Sequence, residues 1–164
     1  MPREKFWVRK ATRKDVPELL KLLNEWYVED GDRPVSKLSD SFVNTCFGRT
    51  RSHHVVVAEG ESGLVGMAHA YPVFDPGEEE PILGLENLFV TKGKRRNGIG
   101  AKLMSAISRL AKQEGASGVC WMVNGRSRRA MRFYASQGAE RSDYVPMFLV
   151  GRSLSARARS VKAV

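Results

Sequence analysis

The segment Arg95-Arg96-Asn97-Gly98-Ile99-Gly100 combines two guanidinium groups with two glycines, and apolar residues at 99, 103, 106, 107, 110 and 111 follow at helical spacing. A glycine-loosened turn entering a helix leaves backbone amides without partners beside the positive end of the helix dipole. That is the chemistry of a phosphate cradle. Gly98 and Gly100 would let the backbone approach phosphate oxygens closely, while Lys92, Lys94, Arg95 and Arg96 supply charge at the rim. Gly93 and Gly98 have the outer spacing of a Walker loop, but Ile99 and Gly100 stand where that loop needs Lys and then Ser or Thr. Ala101 and Leu103 follow Gly100, so a Gly-x-Gly-x-x-Gly dinucleotide loop is incomplete as well. Taken alone, the hexapeptide also fits a flexible turn on a basic surface.

A second chemical candidate is Glu86, set among Leu85, Leu88 and Phe89. Burial in such a strand should raise a carboxyl pKa and make it a better base; the competing reading is a carboxylate paired with a core Arg or Lys. The acids Glu25, Glu29, Asp30, Asp32, Asp75, Glu78, Glu79 and Glu80 fall in two loops, where they could attract a cationic group, although solvation is the ordinary role. His53, His54 and His69 lack metal-ligand spacing and read as satisfied strand histidines, so no metal is expected. Cys46 and Cys120 read as reduced core thiols, one at a helix end and one in a buried strand.

These residues must be positioned by the elements around them. Phe6-Trp7-Val8 starts a strand, and Thr12-Arg13-Lys14-Asp15 has the capping pattern that opens a helix. Val16, Leu19, Leu20, Leu23, Trp26 and Tyr27 then recur at helical spacing until the turn residues 29–34. A weaker helix is predicted over 36–47. Alternating apolar residues over 53–59 and 64–73, joined by Gly60-Glu61-Ser62-Gly63, predict a hairpin. After the acidic loop 75–81, residues 82–90 are apolar on both faces and predict a central strand. The pattern continues with a helix over 98–114 stopped by Gly115, a strand over 119–123, a helix over 127–137 ended by Gly138, and a last strand over 145–150. The fold class is therefore α/β.

The chain has 164 residues, 42% of them hydrophobic, enough for one domain with its own core. We place that domain at 1–151, followed by a basic tail at 152–164 that reads as a frayed end. Lys and Arg number 27 against 18 acids, a formal charge of +9 that favours anionic partners. The N-terminus has no apolar stretch of signal-peptide length and no run approaches a membrane span, so the cytoplasm is expected and no membrane partner.

The motifs together resemble the GNAT superfamily of N-acetyltransferases, whose cofactor motif is Gln or Arg, two residues, Gly, one residue, then Gly or Ala; Arg95, Gly98 and Gly100 match it. The resemblance extends over Arg9-Lys10-Ala11-Thr12, Leu85-Glu86-Asn87-Leu88-Phe89-Val90 and Ala130-Met131-Arg132-Phe133-Tyr134. It implies a GNAT-type fold with a mixed, mostly antiparallel central sheet flanked by helices, and acetyl-CoA as cosubstrate. The cofactor's pyrophosphate would lie on Arg95, Arg96, Asn97, Gly98, Ile99 and Gly100, its pantetheine arm along Phe89 and Val90, and Ser127 would stand where relatives carry a cofactor-contacting Asn.

The resemblance also implies roles. Glu86 would accept a proton, directly or through water, from an amine whose pKa is near ~10.4, and the Tyr134 hydroxyl would protonate the departing thiolate. Tyr134 could alternatively pack with Phe133 under its helix. Within the superfamily, Leu85 to Val90 and Phe74-Asp75-Pro76 look like the diamine (spermidine/spermine) and thialysine branch, with Asn87 where that branch has Asp and Gly77 where it has an aromatic. The acceptor is then a small primary amine, a diamine, polyamine or lysine-like amino acid, contacted by Asp30, Asp75 and Asn87. A protein lysine or N-terminus is the alternative acceptor. A basic nucleic-acid-binding domain, suggested by Arg126, Arg128, Arg129, Arg132 and the tail, is the alternative outside catalysis and ranks lowest. Family members often dimerise, which makes a homodimer a further expectation.

Overall fold

The computed structural model describes residues 5–75 and 80–159, with the Asp75 side chain outside the description. Residues 76–79 of the acidic loop, and Lys162 of the tail, also lie outside it. Five strands form one sheet in the order β1-β2-β3-β4-β5: β1 is Trp7–Lys10, β2 His54–Gly60, β3 Gly63–Asp75, β4 Glu80–Val90 and β5 Gly118–Cys120. The first four pair antiparallel, whereas β5 pairs parallel to β4. The sheet is thus mixed and mostly antiparallel.

Helices cover both faces. Helix α1 (Val16–Asp30) and α2 (Asp40–Phe47) close over Val55, Val57, Met67 and Phe89. Helix α3 (Ile99–Gln113) buries Ile99, Leu103, Met104, Ile107, Leu110 and Ala111 against the opposite face, where Leu83 and Leu85 of β4 meet it. Helix α4 (Arg128–Ser136) adds Phe133 and Tyr134 to that second core. Both faces of β4 are covered, as a strand apolar on both sides requires.

The entry to α1 depends on one carboxylate. Asp15 is only 8% exposed and accepts hydrogen bonds from both terminal nitrogens of Arg9, at 2.7 and 2.8 Å, and from the Thr12 amide at 2.7 Å. Arg9 also pairs with Glu59 of β2, so the first strand, the helix start and the hairpin share one buried-edge network. The Arg9 hydrogen bond is the main reason the Asp15 carboxyl lies at about 2 instead of 3.8.

Several expectations change in the C-terminal part of the chain. Residues 145–150 form no strand: Val145, Met147, Phe148, Leu149 and Val150 are exposed, and the strand predicted over 119–123 narrows to Gly118–Cys120. A β-prone run becomes a strand only against a partner edge, and no described strand lies beside this one. Cys120 is accordingly exposed, while Cys46 is buried. Residues Gly151–Arg159 form helix α5, although the tail reads as frayed in sequence. Its Ala, Leu and Arg content favours helix without requiring burial. Among the described residues, no helix is long and apolar enough to cross a membrane.

Removing the Asp15 charge tests the entry network. Asp15→Asn should lower unfolding stability at neutral pH by about 1.5–3 kcal/mol, the range for hydrogen bonds to charged groups. Because the folded carboxyl titrates below its unfolded value, its contribution is present above 3.8 and fades as pH falls toward about 2. Urea unfolding across that window should therefore show a shallower acid limb in the variant.

Candidate active site

The cleft begins where the sheet stops being a sheet. Strand β5 pairs with β4 only through Ile82, Leu83 and Gly84, so beyond Gly84 the β4 edge carrying Leu85 to Val90 has no neighbour on that side among the described strands. A cleft of about 610 Å³ fills the opening. Its walls are β4 from Glu86 to Val90, the C-terminal turn of α1 with Trp26, Glu29 and Asp30, the N-terminal turn of α3, and α4 with Ser127, Ala130, Phe133 and Tyr134.

The α3 turn is built for backbone exposure. Arg96 and Gly98 both adopt left-handed conformations, at φ 66 and 79, and no side chain caps the helix start. Ile99, Gly100 and Ala101 line the cleft, so the first-turn amides and the positive dipole end lie at its wall. The two glycines serve different needs. A Cβ at Gly98 would meet nothing within 4 Å, and its positive φ is the reason for glycine; a Cβ at Gly100 would stand 3.2 Å from the Phe133 ring. Gly100 thus admits α4 as well as any ligand. Asn97 turns away: it lines a small separate pocket and its side-chain amide donates to the Lys94 carbonyl at 3.2 Å.

Arg95 is less available than its sequence position implies. Its Nε donates to the Val90 carbonyl at 2.7 Å, its two terminal nitrogens bind both oxygens of Glu29, and the guanidinium lies over the Phe89 ring at 5.5 Å. Arg129 of α4 donates to the same Glu29 carboxylate at 3.0 Å. The Arg95 hydrogen bond foremost, with Arg129, holds the Glu29 carboxyl at about 2. Glu29, read in sequence as one solvated acid among eight, is the junction that joins α1, the β4–α3 loop and α4. Nothing local marks it, because its partners are 66 and 100 residues away.

Strand β4 carries the acid. His69 of β3 pairs with Asn87 and Ala70 pairs with Leu85, which leaves Glu86 as the extra residue of a bulge. Glu86 is exposed in the cleft, so the apolar burial expected for it is absent. It faces the Tyr71 phenol, which is kept protonated first by burial and then by the Glu86 charge and hydrogen bond. Tyr134 stands half-buried against Trp121 and Phe133, with ring centroids 4.8 and 5.2 Å away; burial raises its pKa. Ser127 caps α4 by accepting from the Ala130 amide at 3.3 Å.

Of the residues singled out in sequence, Glu86, Asn87, Phe89, Val90, Arg95, Arg96, Gly98, Ile99, Gly100, Ser127, Tyr134 and Asp30 all line this cleft. Asn97 does not, and the Asp75 side chain is not described. Trp26 and Phe133, read in sequence as packing residues, line it as well, and the link from Glu29 to Arg95 and Arg129 is what sequence reasoning missed.

Residues 16–139 match the acetyltransferase (GNAT) family, and the chain belongs to that family; it is an acetyl-CoA-dependent N-acetyltransferase. It is 37% identical over 86 residues to human N-acetyltransferase 8, spanning 52% of this chain and only 38% of that protein. It is 28% identical to thialysine N-epsilon-acetyltransferase of Bos taurus, over 81% of this chain and 83% of the relative. Its fold matches the aminoglycoside N-acetyltransferase AAC(6')-Iy in complex with CoA with a TM-score of 0.75, at 17% identity, covering 93% of this chain and 99% of that one.

The turn geometry has a direct consequence for stability. Gly98→Ala should cost about 1–2 kcal/mol, the penalty for a side chain in left-handed backbone. Gly93→Ala, which meets nothing within 4 Å and has no left-handed φ, should be close to neutral. Paired urea titrations of the two variants check this.

Proposed function

We propose that the chain transfers the acetyl group of acetyl-CoA to a primary amine of a small molecule, by direct attack in a ternary complex. The observation that carries this reading is the cleft itself, in which the open edge of β4, the uncapped α3 turn, Glu86 and Tyr134 face one volume.

The residues present fit the cosubstrate. Left-handed backbone at Arg96 and Gly98 and the free amides at the start of α3 suit a pyrophosphate, and Arg96 adds charge. The edge at Phe89 and Val90 offers backbone groups to an amide-bearing arm, as an added strand would use them. Ser127 lies on the α4 side of the same volume. Arg95 acts chiefly by holding the loop to α1 through Glu29. When bound, acetyl-CoA supplies an activated thioester. Glu86 takes the proton from the ammonium group, directly or through water, since only the neutral amine has a lone pair to attack with. Tyr134, kept protonated by burial, donates its phenolic proton to the departing sulfur.

Glu86, Asn87 and Asp30 on the acceptor side favour a cationic amine, and Asp75 is carried with them from the sequence pattern. A diamine, polyamine or lysine-like amino acid is the class proposed. The relative that acetylates thialysine supports it weakly, as a distant match. An amine panel with acetyl-CoA and a thiol-release assay tests the reading; turnover restricted to peptides would overturn the small-molecule acceptor.

Saturation with CoA at about 100 times its Kd should stabilise the fold by about 2.7 kcal/mol, read as a rise in Tm. Tyr134→Phe should reduce kcat by ten-fold or more with little change in CoA affinity. Glu86→Gln should alter the pH dependence of kcat/KM with amine, the signature of a lost proton acceptor.

A further inference from the structure

Outside the cleft, α2, the residue preceding β2, and β3 bring together the three side chains of Cys46, His53 and His69. His53 Nδ1 and His69 Nε2 are 2.8 Å apart, Cys46 Sγ is 3.9 Å from His69 Nε2, and all three atoms lie within 4.8 Å of one another. Cys46 and His69 are buried and His53 is half-buried, with the Phe42 ring edge-on to His69 and Tyr71 stacked on His53. Residue separations of 16 and 23 hide this set from any spacing motif.

We propose that Cys46, His53 and His69 form a binding site for a divalent transition ion of the zinc class, distinct from the acetyl-transfer cleft. One thiolate and two imidazoles are ligands that such an ion prefers. Tetrahedral zinc with bonds of about 2.0–2.1 Å to nitrogen and about 2.3 Å to sulfur sets its N–N edge near 3.3 Å and its S–N edge near 3.5 Å. The triad reaches those edges if the two imidazoles separate by about half an ångström and the sulfur closes by a few tenths toward His69 and by up to about 1.3 Å toward His53, which lies within 4.8 Å of it. Binding replaces the Cys46 thiol proton, which leaves to solvent, and a water takes the fourth position.

A second observation points the same way. His69 Nδ1 is buried without a hydrogen-bond partner. With His69 bonded through Nε2 to His53, either tautomer strands Nδ1 as a lone acceptor or a lone donor. Metal at Nε2 would fix the tautomer with the proton on Nδ1, and ligating histidines donate a hydrogen bond from that N–H to an outer acceptor. Asn87 of β4, the register partner of His69, carries a side-chain carbonyl suited to accept that hydrogen bond. Since Asn87 also lines the cleft, an occupied site would brace one wall of it while contributing no group to the reaction.

The test uses the purified full chain, stripped with chelator and titrated with Co(II) as a spectroscopic probe, then Zn(II). The proposal expects one equivalent bound, a sulfur-to-cobalt charge-transfer absorption, displacement by Zn(II) and a rise in Tm. Cys46→Ser should abolish the absorption, His53→Gln should weaken binding by at least about tenfold, and Cys120→Ser should change neither. Absence of the absorption in the wild type, or its survival in Cys46→Ser, overturns the site. If Cys46→Ser melts before the titration can be read, His53→Gln, at a half-buried position, decides instead: unchanged affinity overturns the proposal. CoA binding is read separately and does not depend on the outcome.

Discussion

The arrangement depends on a strand pair that ends early. Strand β4 needs a neighbour on each side to satisfy its backbone, yet β5 stays with it only to Gly84. Helices α1 and α2 pack on one face of the sheet and α3 and α4 on the other, and the cleft opens along the unpaired stretch of β4. The unpaired edge costs hydrogen bonds that a continuous sheet would keep. It also leaves polar backbone exposed in a concave site, which suits an extended, amide-bearing ligand.

A splayed sheet needs something else to fix its two halves, and Glu29 does this. Its carboxylate binds Arg95 in the loop before α3 and Arg129 at the start of α4, so three elements that share no ladder are joined at one point. Exposed ion pairs contribute little singly, but Arg95 is only 17% exposed and also binds the Val90 carbonyl over the Phe89 ring. The bulge at Glu86 completes the geometry by turning that acid into the cleft beside Asn87, whereas regular alternation would send the two to opposite faces.

The position of Gly100 shows how a motif can be right for a different reason. Read alone, it suggests close approach of phosphate to backbone; in the fold, its missing side chain also admits the Phe133 ring. The same glycine then sets the distance between α3 and α4, and with it the width of the cleft that Tyr134 enters. Cofactor motif and core packing are one constraint here.

Local pattern determined much of this protein by itself. Helical periodicity fixed α1 and α3, alternation and the turn at 60–63 fixed the β2–β3 hairpin, and the glycine spacing at 98 and 100 marked the cradle, because each depends on residues close in the chain. Tertiary structure alone decided the rest. The bulge that exposes Glu86, the capture of Arg95 and Arg129 by Glu29, and the meeting of Cys46 with two histidines all join residues on separate elements. The same reason explains the run at 145–150, apolar enough for a strand yet with no described strand beside it. A side chain's type is written in the sequence, but burial and partnership are set by which distant elements the fold brings against it.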